Sequence, residues 1–260
     1  MLKFVLPFLQ AFNLGGDAPA PAPEPTVAEQ QFVVETQEEQ APVAPAKVAA
    51  NTPPARSPEE LKAVIAKMQK VYENTTSFSA NFTQRYTYTL LRRTQESSGT
   101  VQFKKPGMMR WDYKAPKAKS FVVDGKALWV HTPEDKTAMV NHCFKEDGLT
   151  ASVSFLWGSG DFDKEFDMAW FPGQFGDKAD HHVALTPKTP NAVYQKLILV
   201  LDAKTSRVKQ SIVVDTQKNV NQFIFDNLVF NKGVNTKTFA FKAPKGTHVA
   251  PIPGTCAAPQ

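Results

Sequence analysis

Ser98–Pro133 reads SGTVQFKKPGMMRWDYKAPKAKSFVVDGKALWVHTP. Val101 and Phe103 alternate with Thr100, Gln102 and Lys104, the period-two signature of a strand with one buried face. Phe121-Val122-Val123 and Leu128-Trp129-Val130 flank Asp124-Gly125, which predicts a hairpin around a tight turn. Met108 and Met109 follow Pro106-Gly107 and are expected in a loop.

The same alternation extends to both sides. Upstream, Phe78, Ala80 and Phe82 alternate with Ser79, Asn81 and Thr83. Downstream, strands are expected over Val193–Asp202, Arg207–Thr216, Asn221–Phe230 and Thr238–Lys242, joined by short polar turns as in an antiparallel meander. Leu197, Leu199 and Leu201 point one way, Ile198 and Val200 the other. Both faces of that strand must therefore be covered or line a dry cavity. One helix is well marked. Ser57 caps it, Pro58 fits its first position and Glu60 completes a capping box. Leu61, Val64, Ile65, Met68, Val71 and Tyr72 follow at helical spacing to about Asn74. A short helix is expected in Leu149–Trp157 and a loop over 158–180. The fold class is α+β, mainly β, with a curved sheet wrapped around helices.

Composition divides the 260-residue chain. Of its 20 prolines, nine fall in residues 1–56, which carry net charge −3 against +8 for the remainder. Residues 1–16 read as a short export signal or anchor, or as a mis-assigned start. Residues 17–56 lack the apolar periodicity that offsets ordering entropy and read as a Pro/Ala-rich linker. The folded domain is expected over 57–250 and a flexible tail over 251–260. Phe (19) outnumbers Leu (15), which predicts an aromatic interior. Lysines are scattered and no nucleic-acid motif occurs, so no nucleic-acid partner is expected.

Catalytic and metal signatures are lacking. No Gly-x-Ser-x-Gly elbow, phosphate loop, His-Glu-x-x-His or dinucleotide fingerprint occurs. His181 and His182 are adjacent, and neighbours on a strand point to opposite faces. Asp161, Asp163 and Asp167 lack the central glycine of a calcium loop. His142 beside Cys143 is the nearest approach to a hydrolase site. Cys143 and Cys256 are either free thiols or a disulfide, since spacing does not fix their distance. No enzyme activity, cofactor or metal is expected.

The 98–133 stretch resembles the LolA family of periplasmic lipoprotein carriers. The shared pattern comprises Gly99, Lys105, Pro106, Gly107, Arg110, Trp111, Tyr113, Pro116, Asp124, Gly125, Leu128, Trp129 and Pro133. Phe78–Gln84 is similar to the family's first strand and Phe239–Val249 to its closing strand. Some positions depart. Met109 stands where an aromatic is common, Met108 where a polar or basic residue is, and His131 where Tyr is. Lys105 stands where some members have Arg, and Lys218 replaces a turn glycine.

The resemblance implies an open, strongly curved antiparallel half-barrel covered by helices, with a hydrophobic cavity between. It implies a monomeric periplasmic carrier that takes acylated lipoproteins from an inner-membrane ABC transporter to an outer-membrane acceptor. The expected acyl-chain residues are Met109, Phe82, Phe103, Trp111, Phe121, Trp129, Phe223 and Phe225, with Lys105 contacting the helical lid. Core packing is the competing reading for the aromatics, and parity alone does not assign them. A lipid- or lipoprotein-sensing regulatory domain on the same fold is the alternative function. It is disfavoured because such proteins tend to carry a second C-terminal domain.

Overall fold

A computed structural model describes residues 56–144, 161–173, 175–190 and 192–255. The N-terminal segments, the expected helix at Leu149–Trp157 and the second half of the C-terminal tail lie outside them. The first element is helix α1 (Pro58–Glu73). The Ser57 side chain accepts from the Glu60 N–H, and Leu61, Val64, Ile65, Met68 and Tyr72 form its buried stripe.

Strands β1 (Ser77–Tyr88), β2 (Arg93–Lys104), β3 (Met108–Ala115), β4 (Lys119–Asp124), β5 (Leu128–Thr132) and β6 (Thr137–Asn141) follow as a meander. Then come a one-turn helix α2 (Phe162–Glu165) and strands β7 (Phe166–Trp170), β8 (His181–Pro187), β9 (Tyr194–Leu201), β10 (Val208–Asp215) and β11 (Val220–Phe230). A 3₁₀ turn (Thr236–Phe239) precedes β12 (His248–Pro251). Among the described residues these strands form one open, curved sheet in the order β12-β6-β5-β4-β3-β2-β1-β11-β10-β9-β8-β7. Pairing is antiparallel except between β12 and β6. Ile252, just past β12, is buried and donates its N–H to the Val140 carbonyl.

Three local expectations give way. Residues 166–170 are an edge strand, where a loop is expected from the scattered aspartates. Their apolar residues Phe166, Met168 and Trp170 are in phase and join the core. Thr238–Lys242 is not a strand: the 3₁₀ turn and an irregular segment cross the outer face there. Its Phe239/Phe241 alternation reflects burial without a ladder, with Phe239 buried and Phe241 against Trp129. Lys104 Nζ bonds Thr236 Oγ1 and Arg110 donates to the Thr238 carbonyl, holding the segment down. Met108 and Met109 lie on β3 rather than in a loop, because Gly107 (φ 62°) completes the turn before them.

The two apolar faces of β9 are both explained. Leu197, Leu199 and Leu201 join the main core on the concave side. Ile198 and Val200 pack with Ala184 and Ile212 under Phe171 and Phe175 on the other side. Gly99 makes the sheet centre feasible. A Cβ there would lie 2.0 Å from the Asp112 carbonyl oxygen and 2.9 Å from the Phe82 ring. Glycine is thus required where the Phe82 ring crosses β2.

Candidate functional site: a closed aromatic interior beneath one helix

The concave face holds a continuous apolar cluster built from residues of ten strands and from α1. At its centre Trp111 lies 4.9 Å from Phe82 and 5.2 Å from Phe223, ring centre to ring centre. Phe223 and Phe225 stack nearly parallel, and Tyr113 meets both Phe82 and Phe121 edge-on. Phe82, Phe103, Met109, Trp111, Phe121, Phe223 and Phe225 all belong to this cluster and are no more than 4% exposed. The cross-strand pairs Val101↔Trp111↔Phe121 and Phe103↔Met109↔Val123 put them on one face.

Trp129 is not brought there. Its neighbours Leu128 and Val130 face the core, so period-two geometry turns Trp129 outward. It packs against Phe241 and His142 and reaches Asp124 Oδ2 with its indole N–H.

Helix α1 covers the cluster and is fastened at both ends. At its C-terminus Lys105 Nζ donates to the Tyr72 and Glu73 carbonyls at 2.8 and 3.0 Å. Those carbonyls end the helix, at the negative pole of its dipole, where the Tyr72 carbonyl also accepts from the Thr75 N–H, so a lysine is well placed. Asn231 adds a second fastening, donating to the Asn74 carbonyl and accepting from the Thr76 N–H. At the N-terminus the Trp170 indole N–H donates to the Ser57 carbonyl. Arg56 lies over the Trp170 ring and donates to His181 Nδ1. The Tyr72 hydroxyl accepts from the Val208 N–H inside the core. Burial raises that hydroxyl's pKa far above the phenol range, against the lowering effect of this bond, so it stays neutral.

The interior is graded rather than uniformly apolar. The Tyr113 hydroxyl donates to Gln84 Oε1, and Gln84 Nε2 donates to Asn221 Oδ1, all three groups being buried. Burial holds the Tyr113 proton on, which keeps it a donor. Nearby, Ser211 is fully buried and its hydroxyl makes no hydrogen bond. Sequence reasoning missed this polar end. Its signal was nevertheless present, because Gln84 continues the Phe78-Ala80-Phe82 phase and Asn221 precedes Phe223 and Phe225 in phase. No sequence signal marks Trp170, Arg56 and His181 as a fastening; only the edge position of β7 brings them to α1.

The interior is closed and, apart from this polar end, apolar. Among the described residues no group of His, Cys, Asp or Glu could hold a metal. His181 faces Arg56, while His182 on the opposite face bonds the Phe175 carbonyl. Asp161 caps α2. Cys143 is disulfide-bonded and presents no thiol beside His142; Cys256 lies outside the described residues.

The family model described as "Outer membrane lipoprotein carrier protein LolA" matches residues 73–242. An outer-membrane lipoprotein carrier protein of Dechloromonas aromatica is 27% identical over 186 residues, covering 68% of this chain and 82% of that protein. Another, of Hahella chejuensis, is 26% identical over 180 residues, covering 68% and 83%. The crystal structure of a LolA superfamily protein from Nitrosomonas europaea overlays with a TM-score of 0.39 at 14% identity, covering 70% of this chain and 97% of that one.

Proposed function

The chain belongs to the LolA family of outer-membrane lipoprotein carriers, and from that premise we propose that it carries lipoprotein acyl chains in the space that α1 now fills. Cargo comes from an inner-membrane ABC transporter and goes to an outer-membrane acceptor across the periplasm. The observation that carries this reading is the cover: among the described residues one helix, hydrogen-bonded at its ends, lies over an aromatic pool that belongs to the sheet. Among the described residues, α1 is the element whose movement would let that pool meet a ligand.

Magnitudes make such an exchange workable. Lifting Leu61, Val64, Ile65 and Met68 out of the core costs roughly 6–12 kcal/mol, at about 1.5–3 kcal/mol per side chain. Each buried methylene of an acyl chain returns about 0.8 kcal/mol. About 8–15 methylenes therefore offset the opening, roughly the length of one fatty chain. The first chain is bound near balance and further chains supply the surplus. That near-balance suits a carrier, because affinity is reduced by the cost of reaching the open state.

In this reading Phe82, Phe103, Met109, Trp111, Phe121, Phe223 and Phe225 meet the acyl chains, and Lys105 holds the cover. Met109, unbranched and polarisable, adapts to different chains. Trp129 braces the outer segment instead. The chain's role is binding, with no bond made or broken.

The test uses inner-membrane vesicles carrying the transporter and a triacylated lipoprotein. Adding the full chain with ATP is expected to bring the lipoprotein into the soluble fraction as a complex, and acceptor-bearing liposomes should then collect it. Failure to release lipoprotein would refute the carrier reading. Release followed by retention, with no delivery, would favour a sensor.

A further inference from the structure

Among the described residues the most exposed large apolar side chains are at the tip of the β1–β2 hairpin. Leu90 is 93% exposed and Leu91 59%. Both are carried on a four-residue turn closed by the Arg92 N–H to Thr89 carbonyl bond. The ladder is paired up to Tyr88↔Arg93, so the tip stands on regular structure. Thr89 fixes it further, donating its hydroxyl to the Lys218 carbonyl and its N–H to Asn219 Oδ1. Exposed leucines on a fastened turn are not explained by the fold, since nothing in the core needs them.

Their surroundings indicate what they meet. Arg92 and Arg93 are exposed beside the leucines, and Lys218 lies on the adjoining β10–β11 turn. Strand register brings the end of β3, with Lys114, and the β3–β4 turn, with Lys117, to the same end of the sheet. The acids there are largely engaged: Glu96 by Arg85, Glu134 by Lys117, and Asp215 by Tyr86 and the Gln217 and Asn219 N–H groups, while exposed Asp135, beside Glu134, faces Lys119. Behind the tip, Tyr86 and Tyr88 pack edge-to-face at 4.7 Å. Apolar residues at an apex, tyrosines behind and basic residues around are the order in which a bilayer presents acyl chains, interface and anionic headgroups.

We propose that this hairpin tip docks the protein on anionic phospholipid bilayers. Leu90 and Leu91 enter the acyl boundary, while Arg92, Arg93 and Lys218 engage lipid phosphates. Two leucines on a convex apex fall far short of the roughly 800 Å² per partner of a stable protein interface. A bilayer requires only a few apolar side chains with basic neighbours. This docking does not depend on acyl binding beneath α1.

The experiment is sedimentation of the full chain with phosphatidylcholine vesicles, with and without phosphatidylglycerol. Binding is expected only with the anionic lipid and should fall as salt rises. Leu90→Ser/Leu91→Ser should weaken it about a hundredfold, at ~tenfold per leucine. Arg92→Gln/Arg93→Gln should weaken it about twentyfold and flatten the salt dependence. Val249→Ser, at an exposed valine elsewhere (45%), should change nothing. A second readout labels Leu90→Cys with an environment-sensitive dye, Cys143 being disulfide-bonded. Its emission should shift to the blue only with anionic vesicles. No binding by the parent chain, equal binding by the serine variant, or no shift of the dye overturns the proposal. Uptake of a triacylated lipopeptide is measured alongside. The serine variant should keep it, and its loss in the parent chain counts against the carrier reading instead.

Discussion

Lys105→Met tests the cover directly. The substitution keeps the apolar stem and removes the ammonium that bonds the Tyr72 and Glu73 carbonyls. Hydrogen bonds involving a charged group contribute about 1.5–3 kcal/mol, and a cation at a helix C-terminus about 0.3–1 kcal/mol. Because one of the two bonds is solvent-exposed, the low end applies, about 1.5–2 kcal/mol in all. If that energy separates the closed from the open arrangement, the open fraction rises about 10- to 30-fold. An apolar probe that binds the open form gains apparent affinity by the same factor. The assay is fluorescence titration with a fluorescent fatty acid, paired with thermal unfolding. The variant should bind the probe about tenfold more tightly and melt about 3–8 °C lower, at ~2–4 °C per kcal/mol for a domain of this size. It should also give up lipoprotein to an acceptor more slowly, since tighter binding opposes release. Lys105→Arg should stay near the parent. Probe affinity within twofold of the parent, with an unchanged melting point, would show that the lysine does not hold α1 and would refute the reasoning.

Gly99→Ala places a methyl group against the Asp112 carbonyl and the Phe82 ring; a loss of about 3 kcal/mol or more is expected in denaturant unfolding, as for severe overpacking. Lys218 sits at φ 70°, so Lys218→Gly should raise stability by about 0.5–1 kcal/mol, seen as a higher melting point. His181 is held below its ordinary pKa of 6.5, first by burial and then by Arg56 and Lys67, with Glu60 and Asp180 opposing. The unfolded chain therefore takes up that proton first, so the stabilisation is present above pH 6.5 and is lost as pH falls through the lowered folded value. Unfolding free energy followed from neutral to mildly acid pH should show this loss, and His181→Gln should reduce its slope. Tyr113→Phe leaves Gln84 Oε1 without its donor and should cost about 1–3 kcal/mol in the same measurement.

Much of the architecture was legible because local rules were strong. Ser57, Pro58 and Glu60 mark a helix start that needs no tertiary help, and α1 begins there. Asp124-Gly125 marks a turn because few other pairs fit, and Gly125 takes φ 91°. Strand positions for β9, β10 and β11 were readable within a residue or two from alternation. The misses have separate causes. Phe239 and Phe241 announce burial, but a residue can be buried against the back of a sheet without joining its ladder. Phe166, Met168 and Trp170 alternate over too short a span, among aspartates, to stand out as an edge strand.

The amino-acid order by itself determined which residues share a face, where the chain turns, and, through Gly99, Arg110, Trp111 and Tyr113, the family. It did not determine which face is concave. Trp111 and Trp129 are both strand tryptophans, yet one lies at the centre of the interior and the other braces the outer segment. Period-two geometry makes neighbours opposite but does not say which side is covered; strand order and the placement of α1 decide that. The same holds for the fastenings. Lys105, Asn231 and Trp170 reach the ends of α1 from three separate parts of the chain. Contacts of that sequence separation exist only once the sheet has brought its two ends to the one helix.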